Sequence, residues 1–477
     1  MANLLSVLMS SSSSLDAYTK VLEVMQNNVA NASTPGYARQ SLPLIARPLD
    51  LAIGASGGVT TGTQQSARDE YAEQAVRTQN TILGREQQAA GSLTGLQSLF
   101  DISGNTGIPN ALNQFFQSAS AWGQTPSDEA ARQTFIARAT DVAQNFRNAA
   151  AGVDNLAHDT ESQIHSTVDQ VNQIVGRLQA YNHQILQSDS RDSGVDTQMH
   201  TLMENLSQLV DFSAVQQPDA TTTILMNGAT PLLVGDRQFQ LRVGLSVPAG
   251  GINPNPPANA YLLAADGTDI TAKTTDGQLG ALMDMRNRVL PSYMGDANQA
   301  GDLNSMAKQF ADRVNGLLTT GNISDGPPPQ PGVPLFTYDT TNDTNVAKTL
   351  SVDPTVAPSQ LAAISPGPPY VSNGVPLALS QLATPLAAGD EINGMSYSEF
   401  YGNMAANIGS QLQNASNGEQ VQQSLLAQAR DQRQQISGVS LDQEAMTLVE
   451  FQRAYQANSR FITVLDQLTQ DTINILR

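Results

Sequence analysis

Cysteine is absent from all 477 residues, which excludes disulfide frameworks, thiolate metal sites and thiol nucleophiles. No apolar run reaches the ~18–20 residues of a membrane-crossing helix. Met1 to Met9, followed by five serines from Ser10 to Ser14, lacks the basic region and longer apolar core of a cleavable signal peptide. Any export is therefore expected to keep this segment. Charge is scarce, at 14% of residues against about 25% in ordinary soluble domains. The surface must then be built largely from Gln, Asn, Ser and Thr. The balance is acidic, with a net charge of −19. A field of that sign repels phosphate, so neither nucleic acid nor a membrane surface is expected as a partner.

Proline is missing where it would do the most harm to helices. Of 24 prolines, 19 lie between Pro218 and Pro385, with none from Ser127 to Gln217 and none after Pro385. Proline inside a helix costs about 3 kcal/mol, so the two proline-free stretches are free to form long helices. The expected fold class is mainly α with inserted β. Its N- and C-terminal helices pair as a coiled coil, alongside a long-helix bundle domain and a β-rich outer domain.

Near the start, Leu4, Leu8, Ser11, Leu15, Tyr18, Leu22, Met25 and Val29 alternate four and three apart. That spacing is a heptad seam, the narrow stripe that packs against another helix. Close to the end, Leu441, Leu448, Tyr455, Ile462 and Leu476 recur at sevens, with Phe451 and Leu465 in the second seam row. Asn458, Thr469 and Thr472 interrupt it. Ser440 with Gln443 suits a capping box just after Gly438. Such narrow stripes leave a helix pair marginal by itself, so both ends are expected to be largely disordered in a free monomer and to order on contact with neighbours.

Between the ends, Phe135, Val142, Phe146, Ala149, Val153 and Leu156 form one stripe. Ile164, Val168, Val171, Val175, Leu178 and Ile185 continue it after a shift of phase, which reads as a stutter. Thr201 to Phe212 looks helical for a turn or two. Thr221 to Met226, the Asn227-Gly228 pair and Phe239 to Val243 read as short strands and turns. Helix returns at 279–289, at 302–318 and from about Ser396. The expected domains are 1–45 with 437–477 as a terminal coiled coil, and 46–215 with 276–325 and 396–436 as a helical bundle. Residues 216–275 form a β-rich insert and 326–395 a Pro-rich loop and β insert.

The chemical candidates are weak. Asp154, His158, Glu161 and His165 could share one helix face, but His-x6-His lacks the one-turn spacing by which two imidazoles converge on a metal. A solvated face is the better reading. His183 and His200 have no obvious partner, Asp69-Glu70 reads as surface charge, and the glycines of Gly54 to Gly58 are wrongly spaced for a nucleophile elbow. No catalytic residue, metal site or cofactor is expected.

The segment Asn27-Asn28-Val29-Ala30-Asn31-Ala32-Ser33-Thr34-Pro35-Gly36-Tyr37-Ala38-Arg39-Gln40 is a helix stop built of capping and turn residues, from which Tyr37 can anchor the exiting chain. It closely resembles the signature shared by the axial proteins of the bacterial flagellum, the rod, hook and hook-associated subunits. Asn28, Asn31, Pro35, Gly36, Tyr37, Arg39 and Gln40 carry the likeness. Four features are similar to the hook-associated members in particular. They are the Arg39-Gln40 ending, Gly57-Gly58-Val59 leading to Arg68, Asp69 and Tyr71, Gly277 to Arg286 with Phe310 to Asn315, and Ser437 to Glu444 with Phe451 to Asn458.

The resemblance implies a structural subunit at the junction of hook and filament, self-assembling through its terminal helices. It implies export through the flagellar type III channel to an extracellular position without signal cleavage. Its partners would be further copies of itself, the hook protein, a second junction protein toward the filament, and an export chaperone on the C-terminal helix. Two alternatives stand beside it: another axial subunit of hook or distal rod, and a flagellum-borne adhesin or glycan-trimming enzyme whose activity would reside in 216–275 or 325–395.

Overall fold

Proline-free sequence does become long helix. The computed structural model describes residues 2–50, 55–100, 106–188, 192–247, 250–253, 256–326 and 328–475, so Gly54 and Leu476 lie outside the described residues. Helices α1 (Ala2–Ala30), α2 (Glu70–Gln97), α3 (Gly107–Gln124), α4 (Glu129–Ser188) and α5 (Ser193–Leu209) occupy the first half. They are followed by α6 (Gly277–Asp284), a π-helical turn (Met285–Val289), α7 (Leu290–Met294), α8 (Asp302–Thr320), α9 (Val346–Thr349) and α10 (Gly374–Gln381). Two long helices close the chain, α11 (Tyr397–Ser437) and α12 (Leu441–Ile475). The protein is mainly α with inserted β.

Local chemistry sets several boundaries. Asp69 caps α2 by accepting from the Ala72 amide at 2.8 Å. Ser396 and Glu399 form a reciprocal capping box on α11. The break between α11 and α12 falls at Gly438, as expected, while Ser440 accepts from the Gln443 amide at 3.4 Å.

The strand after α5 begins earlier than the sequence suggests. Helix α5 starts at Ser193 and stops at Leu209, so Phe212 opens a strand and does not end a helix. The strands β1 (Phe212–Gln216), β2 (Thr222–Met226), β3 (Thr230–Val234) and β4 (Arg237–Gln238) form one antiparallel meander. Its β2–β3 turn carries Asn227 and Gly228, both at positive φ. Strands β5 (Arg242–Ser246) and β6 (Asn259–Leu263) make a separate hairpin.

Two large apolar cores result, with a small third cluster of Val76, Leu83, Leu426 and Ala429 between α2 and α11. The first gathers Leu93, Leu96, α3, the N-terminal half of α4, α8 and the start of α11 around Phe115, Trp122, Phe135, Phe146 and Phe310. The second gathers Ile164 to Ile185 of α4, α5, the meander and α6. The stripe break expected on α4 marks its passage from one core to the other, within one continuous helix of 60 residues. Residues 326–395 do not stand apart, because Leu335, Phe336, Val346, Leu350, Leu361 and Leu379 are buried in the first core.

Candidate assembly surface and its anchoring

Helices α1 and α12 lie against each other. Tyr18 and Phe451 meet with ring centroids 6.2 Å apart, and the Asn458 amide donates to the Ser11 carbonyl at 3.1 Å. A polar seam residue of this kind fixes register at some expense of stability. On α12, Leu448, Phe451, Asn458, Ile462, Leu465, Thr469 and Thr472 all turn inward, so the three polar residues sit within the seam and do not break it. Tyr455 is at its edge at 37% exposed, and Leu441 is out of it at 55%. On α1, Ser11 and Met25 are buried and Leu8, Leu15, Tyr18 and Leu22 half-buried, while Val29 is exposed. The side chain of Leu4 lies outside the described residues.

The buried positions of α1 are Ser11, Ser14, Ala17, Val21, Met25 and Asn28, so its second row is displaced by one residue from the apolar row of the sequence. The cause is an antiparallel arm of strands, in which Gln40–Ser41 pairs with Gln65–Ser66 and Leu44–Ala46 with Val59–Thr61. This arm packs on α1, and only small residues permit the approach. A Cβ on Gly58, whose φ is +105°, would stand 2.5 Å from Ser10 Oγ. The Ser10 hydroxyl donates to the Gly57 carbonyl at 2.9 Å, and Ser14 Oγ accepts from the Val59 amide at 3.2 Å. The serine run is the arm's dock.

The signature turn folds back on α1. Asn28 Nδ2 donates to the Gln40 carbonyl at 2.8 Å while its Oδ1 accepts from the Gln40 amide and the Tyr37 hydroxyl, each at 2.9 Å. Asn31 donates to Asn27 and accepts from Thr34. Pro35 is exposed, and Gly36 takes a φ of +74°.

Arg39 leaves this turn to meet the far end of the chain. Its Nε donates to Glu444 Oε1 at 2.6 Å, and its amide donates to the Ser437 carbonyl at 2.8 Å. Ser437 Oγ in turn accepts from the Asp69 amide at 3.1 Å. Three remote segments therefore cross at one point.

Beneath the crossing lies an ion cluster that sequence reasoning missed. Arg68 donates to the Gly36 carbonyl at 2.9 Å, to Asp196 at 2.8 Å and to Glu73. Arg433 bridges Glu73 at 3.2 Å and Glu204 at 2.8 Å, and Arg430 also pairs with Glu204. Burial alone would raise the Glu204 carboxyl, but hydrogen bonds and charge from Arg433 and Arg430 hold it below its usual range. His200 is not partnerless: it is buried with Glu73 at 3.9 Å and Asp196 at 3.8 Å. Asp69-Glu70 is also more than surface charge, since Asp69 is a helix cap and Glu70 pairs with Arg77 at 2.5 Å. His158 stays in solvent at 75% exposed. Among the described residues, no three His, Asp or Glu side chains converge as metal ligands, and no helix is long and apolar enough to cross a membrane.

With α1 covering one side, α12 keeps further apolar side chains in the open. Met446 is 69% exposed, Val449 45%, Phe461 49%, Val464 56% and Leu468 50%. These side chains form two apolar patches, Met446 with Val449 and Phe461 with Val464 and Leu468, with exposed Arg453 and Arg460 between them, and exposed apolar patches mark interfaces.

A family model described as the flagellar hook-associated protein FlgK helical domain matches residues 93–336. One described as the flagellar basal body rod FlgEFG protein C-terminal matches 430–475. The chain is 25% identical to flagellar hook-associated protein 1 of Bacillus subtilis strain 168, across 96% of both chains. It is 22% identical to the Escherichia coli K12 protein of the same description, over 97% of this chain and 98% of that one. In fold it is similar to the flagellar hook junction protein FlgK from Burkholderia pseudomallei, with a TM-score of 0.64 at 16% identity, covering 76% of this chain and 99% of the other.

Proposed function

The chain belongs to the family of the flagellar hook-associated protein FlgK, a structural protein of the hook–filament junction, and from that premise we propose that it assembles there by packing the open face of α12 against the terminal helices of neighbouring copies. The observation that supports this is the pair of exposed apolar patches, Met446 with Val449 and Phe461 with Val464 and Leu468, on a helix whose other side is already filled by α1. The role is geometric and not catalytic. Further partners on this reading are the hook protein on one side, a second junction protein toward the filament on the other, and an export chaperone covering the same α12 face before assembly. Export runs through the flagellar type III channel without signal cleavage. The α1–α12 pair is weakly held in the free subunit, because neighbours supply the rest of its burial.

Val464→Asp with Leu468→Asp tests the assembly reading. The variant should keep the monomer's circular dichroism spectrum yet vanish from the hook–filament boundary in immunogold labelling. Wild-type-like labelling would refute it. Amide exchange on the free subunit should find 1–30 and 441–475 far less protected than the first core; equal protection would refute the weak pairing.

A further inference from the structure

The two apolar cores are joined by a polar seam. On α4, the first core's fully buried residues end at Val153, with Leu156 and Ala157 partly buried against it, the second core begins at Ile164, and between Val153 and Ile164 Thr160 alone is fully buried. On the α6–α7 segment, Leu279, Leu282 and Met283 belong to the second core, whereas Met285, Val289 and Tyr293 belong to the first. The change of core falls at the π-helical turn, Met285–Val289. A π turn is a local irregularity in a helix and is frequent at sites of function.

Amide side chains fill the same seam. Gln88 Nε2 donates to Gln163 Oε1 and Ser92 Oγ, each at 3.0 Å, and Gln278 Nε2 donates to Gln88 Oε1 at 3.0 Å. Amide–amide bonds exchange for amide–water bonds at little net cost, so parting these glutamines is easier than parting either core.

Arg286 stands on the π turn. It is 8% exposed, and its Nε finds no acceptor among the described residues. The carboxylates whose charge acts on it are Glu161 and Asp154 of α4, while burial pushes the guanidinium down from its ordinary value. Asp154 is engaged by Lys348 at 2.8 Å. Among the described residues, the ion-pair contact of Glu161 is the exposed His158 at 4.0 Å. A buried guanidinium lacking its full set of acceptors is costly, and that cost falls if the seam opens toward Glu161.

We propose that this seam is a flex point, about which the sheet-bearing half of the body swings at the π turn while Arg286 moves out to pair with Glu161. Two packed arrangements of one joint, separated by a small free-energy gap, are the usual basis of hinge and shear motion. The proposal is independent of the assembly reading, since it concerns the isolated subunit.

Because the chain has no cysteine, Thr140→Cys and Val215→Cys place one spin label on each half of the full-length protein. Thr140→Cys and Gln381→Cys give a control pair across the first core. Electron–electron resonance should find two distance populations between the halves and one in the control. Arg286→Met should leave a single narrow population, and Glu161→Gln should deplete the swung one. An interhalf distribution as narrow as the control overturns the proposal. So does a distribution that Glu161→Gln leaves unchanged, which keeps the test decisive should Arg286→Met fail to fold.

Discussion

Asn28 and Gln40 are joined by a closed pair of hydrogen bonds, the side-chain amide of one donating to the main-chain carbonyl of the other and accepting its N–H. The same arrangement links Asn172 with Leu241, Asn182 with Thr222 and Asn287 with Ala260. In each case a helix asparagine takes the place of a missing strand neighbour and holds extended chain against the helix. Asn28→Asp should keep both acceptor roles and lose the donor, leaving a carbonyl facing a carboxylate. The expected loss is about 1–3 kcal/mol, with Asn28→Leu losing more. Urea unfolding and amide exchange over residues 36–41 will measure it.

Acid should loosen the crossing before it harms the cores. Glu204 is depressed in the folded state, so its contribution is complete above its unfolded pKa of roughly 4.3 and is lost as pH falls through the lower folded value. Thermal stability should drop below about pH 4.3, and Glu204→Gln should flatten that drop while lowering stability at pH 7. An unchanged pH profile in the variant would exclude Glu204 as a source.

Arg68 is the cation on which Glu73, Asp196 and the Gly36 carbonyl converge. Arg68→Met leaves two carboxylates without it, and breaking a buried pair costs about 3–5 kcal/mol. Adding Glu73→Gln should recover part of the loss. A double-mutant cycle with zero coupling energy would show that the two act separately.

Trp122 is the chain's one tryptophan and is fully buried in the first core. Its fluorescence therefore reports that core alone. If the cores unfold separately, fluorescence and far-ultraviolet circular dichroism will give different urea midpoints. Phe310→Ala should move the fluorescence midpoint by the larger amount, in line with the ~3–5 kcal/mol of a large core truncation. Coincident midpoints would mean a single cooperative unit.

Long helices were legible from proline placement and periodicity, because those features act through local backbone chemistry. Leu209 against Phe212 was not, since the helix ends where the meander claims Phe212 for pairing with Met226. The α1 seam was half legible: Tyr18 and Met25 mark one inward-facing row, but the arm selects Ser14 and Gly58 for smallness, a preference that hydrophobicity does not register. The ion cluster was illegible for another reason. Arg68 and Glu73 flank the start of α2, His200 lies on α5 and Arg433 on α11, and nothing short-range announces that burial will bring these three segments together. Asn28 reads as a turn former and Tyr37 as an anchor for the exiting chain, but their pairing with each other and Gln40 is a tertiary fact.

Helix α4 is 60 residues long, or about 90 Å at 1.5 Å per residue, and the seam crosses it near its middle. Each arm of that beam therefore extends roughly 45 Å from its fulcrum. A change of angle too small to disturb either core is magnified at the beam's tips, so leverage is built into the subunit by the length of one helix.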